Sequence, residues 1–454
     1  MATIIEFDTS EEWAPGEDDR GEQPRRRSPL KMAVVGALIF LAALTGPALL
    51  PPRAGVLNPL WRSDTETGFA AVTAEALFQV ELSGRDLSLT ARDPGTGLRR
   101  WSAPLDGPLG QLYARGPVVL VSRYVPGPVY EMTTRVIDVT TGRRAWVFPA
   151  SGAPLAYLGD DVAVLVDLAE PPPPAADIDR LATGTDRAHR IRVLDVHTGR
   201  PLWSTVFPPG TVWALPGVRQ GAEGLVHLPA GVGWMLVTKL TGQAQIWDLL
   251  TGDVVARGSI AGGPGERWYA AALTDAVVVR ADSPDGTTLT GYEPRNLSRR
   301  WQISAPDVYA APFDCGGNVC IESDTGVWAL SPDQGGIVWH AEGVGVRSAA
   351  GPTRLLASRL DTPLAWVEAA TGRIREPDGE WRVVDGADPG REVVVAHVTK
   401  SGFARLGVAD PGTGAVRVLG EVRGWALPTR CRLAATVLAC ADREQLRVWR
   451  VPGT

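Results

Sequence analysis

The stretch VIDVTTGRRAW, residues 136–146, recurs in outline along most of the chain. TARDPGTGLRRW ends at Trp101, VLDVHTGRPLW ends at Trp203, and IWDLLTGDVVA spans 246–256. Fainter copies follow as GYEPRNLSRRW, ALSPDQGGIVW, WVEAATGRIRE and VADPGTGAVRV. Each begins as an apolar run ending in Asp, passes through Thr-Gly, and returns toward Trp. Asp138 supplies a carboxylate that can accept N–H groups of the turn after it, and Thr141 does so more weakly. Gly142 meets the positive φ of a tight reversal, which residues bearing a Cβ resist. Trp146 then offers a broad apolar face to a neighbouring unit, with an indole N–H that needs a carbonyl.

Successive Asp positions lie roughly 37 to 57 residues apart, a period close to that of propellers and other arrays. Between them sit β-branched runs such as VVLV (118–121), VAVLV (162–166), AVVVR (276–280) and EVVVAH (392–397), bounded by Gly, Pro and Asp. No long stretch beyond residue 57 keeps a 3.6-residue period, so this part reads as all-β. One such unit cannot cover its own sheet faces, whereas units stacked radially cover one another.

The pattern resembles the pyrroloquinoline-quinone-like (PQQ-like) repeat, A-x-D-x-x-T-G-x-x-x-W, over nearly all of residues 57–454. The resemblance implies a β-propeller, commonly of eight blades and sometimes seven. It marks Asp93, Gly97 and Trp101, Asp138, Gly142 and Trp146, and Asp195, Gly199 and Trp203 as turn and packing residues. It extends to Asp248 and Gly252, and to Trp301 and Trp339. Glu293, Ser331 and Glu368 replace Asp in the degenerate copies, and Trp is absent after Gly252, Gly372 and Gly414. The C-terminal TVLACADREQLRVWRV has no return strand after it, and NPLW at 58–61 can supply one by pairing the two ends of the chain. A literal count gives nine units. The expectation is eight blades, with seven as the alternative, which requires a degenerate copy to fall short of a full blade.

The first 56 residues have another character. Residues 1–31 are polar and acid-rich without hydrophobic period, the composition of a disordered tail. From Met32 to Leu50 nineteen residues carry no charge, close to the ~20 that cross a bilayer as a helix. Arg25, Arg26, Arg27 and Lys31 precede the span and only Arg53 follows it closely, which places the N-terminus in the cytoplasm. A cleaved signal peptide fits less well, because the leader is long and PALLPPRAG is Pro-rich where a small-residue cleavage site belongs. The reading is a signal-anchor helix at 32–50 in the plasma membrane, a linker at 51–56, and an extracytoplasmic propeller from 57 to 454.

Composition narrows function mainly by exclusion. A net charge of −6 with mixed signs offers no basic face for nucleic acid. As a family, quinoprotein dehydrogenases clamp their quinone beside adjacent cysteines and hold calcium with carboxylates and amides. This chain has no adjacent cysteines and no assignable calcium set, so the expectation is no catalytic, cofactor or metal site. Its five histidines, His189, His197, His227, His340 and His397, show no metal-ligand spacing. ADSPDG at 281–286 reads as a hairpin tip, and GGPGER at 262–267 lacks the strand-to-helix context of a phosphate loop.

The cysteines suit an oxidising exterior. In CGGNVC a Gly317-Asn318 turn would set Cys315 opposite Cys320, and Cys431 and Cys440 share parity across RLAATVLA. The insertion DLAEPPPPAADIDRLATGTDRAHR (167–190) breaks the repeat and is as consistent with a binding element as with a spacer. The functional expectation is a non-catalytic, membrane-anchored propeller that binds or scaffolds a protein or cell-envelope component. The alternatives are a ligand sensor signalling through the tail and a degenerate quinoprotein. The resemblance extends to the assembly-factor lipoproteins of the outer-membrane insertion machine, although no cysteine follows the span here to accept a lipid.

Overall fold

The chain divides at Arg53/Ala54 into two units. The computed structural model describes Leu57 and most of residues 59–451, apart from 169–187, 217–225, 261–266, 385–392, 399–403, 423–429 and shorter turns. The expected tail, membrane helix and linker (1–56) and most of the 167–190 insertion lie outside the described residues. Among the described residues no helix is long and apolar enough to cross a membrane.

The second unit is all-β and nine-bladed, which corrects the expected eight and the alternative seven. Blades 1 to 8 are antiparallel sheets within residues 69–105, 109–147, 153–207, 211–259, 267–305, 313–342, 345–375 and 382–422. Blade 3 also carries a short parallel strand, Val226–His227, on its inner edge. Blade 9 combines three strands within 430–450 with Trp61–Asp64 from the other end of the chain. Trp61 pairs with Val448 and Asp64 with Gln445, so the two ends close the ring by strand pairing, and Trp61 packs on the apolar cluster between blades 9 and 1.

The count came out low because decay of the motif does not remove a blade. Glu293, Ser331 and Glu368 each still close the turn, with backbone bonds of 2.7–2.8 Å from the residue four positions on. The central strands also stay apolar, as in Val319–Ser323 and Leu364–Glu368. What shrinks is the outer or inner strand, to two residues in Phe313–Asp314, Ile374–Arg375 and Arg382–Val383.

The core is not one body but nine clusters, one between each pair of neighbouring blades. Alternation along the strands produces this. In blade 1 Leu77 faces blade 9 while Phe78 and Val80 face blade 2. Both faces of each sheet are therefore apolar, the burial pattern of a strand covered on both sides.

Two disulfides reinforce blades 6 and 9. Cys315–Cys320 (S–S 2.05 Å) ties the two-residue inner strand of blade 6 to its neighbour, and Cys431–Cys440 (2.04 Å) joins the first two strands of blade 9. Cys431 and Cys440 are direct cross-strand partners. The CGGNVC turn differs from the expected one. Its centre is Gly316-Gly317, with φ of 75° and 85°, and Asp314 pairs with Val319. Two glycines satisfy the positive φ at both central positions of this turn, so the turn centre moves by one residue and the pairing by two. Cys320 then lies opposite Phe313, and the disulfide runs diagonally.

Ring closure makes a test. Truncation to Ala54 should leave chemical denaturation of the propeller unchanged. Truncation to residue 65 removes the closing strand with Trp61 and should cost about 3 kcal/mol or more, the loss seen for deletion of one large buried aromatic. Equal midpoints for the two truncations would contradict this account of closure.

Candidate functional site

The sequence-marked residues converge at the seams between blades rather than in one pocket. In each of six seams an indole from the outer strand of one blade donates to the next blade, to the carbonyl directly after the Asp position. Trp61 donates to Pro94, Trp101 to Val139, Trp146 to Val196 and Trp203 to Leu249, at 2.8–2.9 Å. Trp301 donates to Pro332 and Trp339 to Ala369, at 2.8 and 2.7 Å. The same ring lies flat against the turn glycine. A Cβ on Gly142 would sit 2.5 Å from Trp101, and one on Gly199 would sit 2.5 Å from Trp146. Gly97, Gly252, Gly335 and Gly372 meet Trp61, Trp203, Trp301 and Trp339 in the same way.

A feature missed in the sequence aims the indole. The return strand carries a register shift beside the Trp: Val136 pairs with Trp146, but Ile137 pairs with Arg144 and skips Ala145. The same shift occurs before Trp101, Trp203, Trp301 and Trp339. Such a bulge sharpens local twist and re-aims the side chain beside it. The residue before Trp varies freely (Arg100, Ala145, Leu202), so the sequence carried no signal for it.

The acid closes the turn by local bonding. Asp138 Oδ1 accepts from the N–H of Thr140 and Thr141 and from the Thr141 hydroxyl, at 3.1, 2.7 and 2.9 Å. Those bonds, led by the Thr141 N–H, hold its carboxyl below the ordinary aspartate range. Asp195 is lowered in the same way, first by the Thr198 N–H. Asp93 goes furthest, to about 2, chiefly because Arg100 donates to it at 2.8 Å, with the Thr96 N–H next. Asp248 bonds the N–H groups of Leu250 and Thr251 at 2.8 Å.

Three seams depart from the pattern. At blades 4 and 5 the Trp position is Ala256, and Leu297 replaces Gly at φ 57°, its Cβ directed at Gly258. A smaller residue on one blade is matched by a larger one on the next. At blades 7 and 8 the return strand stops at Arg375, and Gly414 meets Arg354 and Trp366 instead. At blades 8 and 9 the seam is apolar, and blade 9 has no continuous turn there because its outer strand comes from the other end of the chain.

The remaining sequence candidates are scattered. His197 bonds Asp161 at 3.0 Å, and His397 Nδ1 lies 2.8 Å from the Glu380 carbonyl. His340 stacks on Trp328 with centroids 3.8 Å apart, His189 is buried in blade 3, and His227 lies in its short parallel strand. Among the described residues no three His, Cys, Asp or Glu gather as a metal site. ADSPDG is a hairpin tip closed by the Ser283–Gly286 pair. Beside it an open depression of about 330 Å³ is lined by Arg280, Asp282, Ser283, Thr287 and Asp324. Arg280 and Asp282 pair there at 2.9 Å, and Thr287 bonds the same carboxylate at 2.8 Å.

Two outcomes follow. Gly142→Ala and Gly317→Ala both force a Cβ onto positive φ, near 69° and 85°, but only Gly142 faces an indole. Gly317→Ala should cost about 1 kcal/mol, and Gly142→Ala about 2–4 kcal/mol once overpacking is added. Equal losses in urea unfolding would show the contact to be incidental. The second concerns acid. A folded-state pKa below the unfolded one stabilises above the ordinary aspartate value and loses that contribution as pH falls through the folded value. For Asp93 the window runs from 3.8 down to about 2. Asp93→Asn should flatten the acid-unfolding curve in that window, and an unchanged slope would refute the assignment.

Residues 58–211 match the family model described as outer membrane protein assembly factor BamB. No curated protein sequence matches. Among solved structures, BamB from Moraxella catarrhalis aligns over 87% of this chain and 100% of its own, with 13% identity and a TM-score of 0.39. The computationally designed Ika8 protein aligns over 88% and 100%, with 14% identity and a TM-score of 0.41. A eukaryotic initiation factor aligns over 84% and 95%, with 10% identity and a TM-score of 0.50, a likeness of fold alone. Residues 58–211 thus carry PQQ-like repeats that match this family, and six seams of the nine-bladed propeller share the turn glycine with a docked indole.

Proposed function

We propose that this protein is a single-pass membrane protein whose propeller stands outside the cytoplasm as a non-catalytic docking platform for a protein or cell-envelope component. The observation that carries the reading is the match of residues 58–211 to an assembly-factor model, joined to an uncharged segment at 32–50 preceded by Arg25, Arg26, Arg27 and Lys31. Rigidity supports it. Each blade is fixed to the next by an apolar seam, so surface groups on different blades keep their spacing, which lowers the entropic cost of binding.

The rim is the surface best suited to a protein partner. Each blade ends in an outer strand with one unpaired edge, and several outer strands expose apolar side chains: Leu202, Val206, Val255, Ile337, Val338 and Val418. Exposed strand edges accept an extended segment by backbone pairing, and flanking apolar groups add specificity. Ile337 and Val338, 61% and 46% exposed, adjoin docked Trp339 and so stand on a well-anchored strand.

The test combines topology with capture. A reporter active only outside the cytoplasm should work after Thr454 and stay silent at residue 1. Cross-linked capture of the full chain from membranes should return a discrete partner, and Ile337→Lys with Val338→Lys should reduce its yield at least tenfold without lowering the melting temperature. A cytoplasmic C-terminus, or a partner set indifferent to rim substitutions on every blade, would overturn the proposal.

A further inference from the structure

We propose that an arc of arginines at one end of the ring, running from blade 9 through blade 3, binds the headgroups of anionic phospholipids. The arc occupies positions that the repeat leaves free. Arg99 and Arg100 follow the turn glycine of blade 1, Arg143 and Arg144 that of blade 2, and Arg200 that of blade 3, and all five are exposed. The seams make them neighbours. Trp101 lies on Gly142, so Arg100 and Arg143 flank one contact, and Trp146 on Gly199 brings the strand of Arg144 against the turn of Arg200. On the other side Trp61 lies on Gly97, with exposed Arg62 next in sequence. Arg450 of blade 9 also reaches across, its Nη2 being 3.7 Å from where a Gly95 Cβ would stand.

The acids of this end stand in a different layer. Asp138 and Asp195 are half-buried, drawn against their turns by the N–H groups of Thr141 and Thr198 at 2.7 and 2.8 Å. Asp93 is held likewise by the Thr96 N–H at 3.0 Å, with Arg100 donating to its other oxygen at 2.8 Å. An arginine carries its charge on a long stem, well beyond a carboxylate tied to the backbone, so guanidinium groups form the outermost layer. Glu75 and Asp161 are exposed, but they sit on turns between the first two strands of their blades, nearer the ring axis. Beyond the arc the pattern breaks. Asp253, Gly336 and Ala415 follow the turn glycines of blades 4, 6 and 8, while Arg300 and Arg375 of blades 5 and 7 are engaged by Glu293 and Glu368.

The arrangement selects the ligand. Guanidinium forks pair with phosphate oxygens two at a time. The equivalent turns share one end of the ring, so the charges are spread along an edge, which suits a flat array of phosphates better than one compact anion. Basic clusters attract anionic headgroups over roughly 10 Å at physiological salt. The choice of a lipid surface rests on the proposed reading of residues 32–50 as a membrane span. The Leu57 N–H donates to the Glu421 carbonyl of blade 8 at 2.9 Å, and Trp61 opens the outer strand of blade 9. The chain therefore joins the ring at the rim of blades 8 and 9. Residues 51–56 can bridge at most about 25 Å when fully extended, and the arc begins on the blade they lead to.

The test uses the full chain with vesicles of phosphatidylcholine alone or with about one-third phosphatidylglycerol. A fluorophore is placed at Leu98→Cys, where the side chain is 70% exposed beside Arg99, or at Asp285→Cys on a hairpin tip at the opposite end. Energy transfer to a headgroup acceptor is then read. Transfer from position 98 should rise at least twofold with phosphatidylglycerol, exceed that from position 285, and fall back in about 0.5 M salt. Combining Arg143→Glu, Arg144→Glu and Arg200→Glu should abolish the rise, and the three Lys replacements should keep it. Equal transfer from both labels, or a rise that survives the Glu variant, overturns the proposal. Polyglutamate that displaces the protein at a lower charge concentration than the lipid identifies an acidic protein as the partner and overturns it too. Flotation with neutral vesicles in high salt reads the span separately. Its failure removes the anchor, while the lipid-dependent transfer from position 98 still decides the arc. If the Glu variant fails to fold, the comparison of the two labels decides it.

Discussion

The flat contact of an indole on a turn glycine, with the indole N–H bonded to the carbonyl three residues before that glycine, is the constraint on which the rest of this propeller depends. A four-stranded blade has two apolar faces and no means of covering either. Radial stacking covers both, but the outer strand lies furthest from the axis, where neighbouring sheets splay apart as spokes do. A small side chain there would leave a gap. The indole fills it, and its single polar group meets a carbonyl that the turn's own hydrogen bonds do not use. Glycine is needed twice over: for the positive φ of the reversal, and because Trp101 comes within 2.5 Å of where the Gly142 Cβ would be. The acid before it keeps the turn closed, so that carbonyl and glycine arrive together.

Because two blades share the contact, a change on one side requires a matching change on the other. Ala256 and Leu297 show the paired form. Loss of the indole is accompanied by replacement of the glycine with a leucine that keeps the turn bond to Glu293 at 2.7 Å. Holding leucine at positive φ is unfavourable by about 1–2 kcal/mol, and filling the volume of an absent indole offsets it. The shortened blades use other means. Blade 6 ties its two-residue inner strand with Cys315–Cys320, and Asn318 on that hairpin bonds the Ala369 carbonyl that also receives Trp339, at 3.0 and 2.7 Å. Blade 8 relies on Trp381, buried to 4% against Gly407 and Val416. Blade 9, assembled from both ends of the chain, has its first two strands crosslinked.

This explains which parts of the structure were legible in the sequence. The turns were, because Asp, Thr and Gly each answer a local need that few other residues meet. That the two ends of the chain pair to close the ring was legible because a propeller with a dangling third strand needs a fourth, but the closing strand is Trp61–Asp64 and shares only Trp61 with the expected 58–61. The blade count was not, since motif decay was read as loss of a blade, whereas Ser331 and Glu368 still accept the turn's bonds. The shifted CGGNVC turn escaped because Gly-Gly and Gly-Asn are both good hairpin centres, and only the register of the flanking strands separates them. The bulge beside Trp101, Trp146, Trp203, Trp301 and Trp339 escaped for a different reason: the skipped residue has no common chemistry, being Arg100, Ala145, Leu202, Arg300 and Val338.

The same physics accounts for why function is hard to read from such a chain. Residues that recur at the repeat period are those the seams require, and every seam requires them whatever the protein does. Groups free to specify a partner sit on the rim, on the loops and in insertions, where no period marks them. A departure from the repeat is therefore the most informative kind of position, provided the architecture has not already compensated for it. Leu297 compensates for Ala256 with apolar volume alone. At Gly414 the substitution is incomplete in chemical terms: the space is taken by Arg354 and Trp366, but among the described residues Arg354 Nη1 and Trp366 Nε1 meet no acceptor. Each donor left unmet there costs about 1–3 kcal/mol, which the apolar packing of the same seam offsets. That asymmetry separates blades 7 and 8 from the rest of the ring.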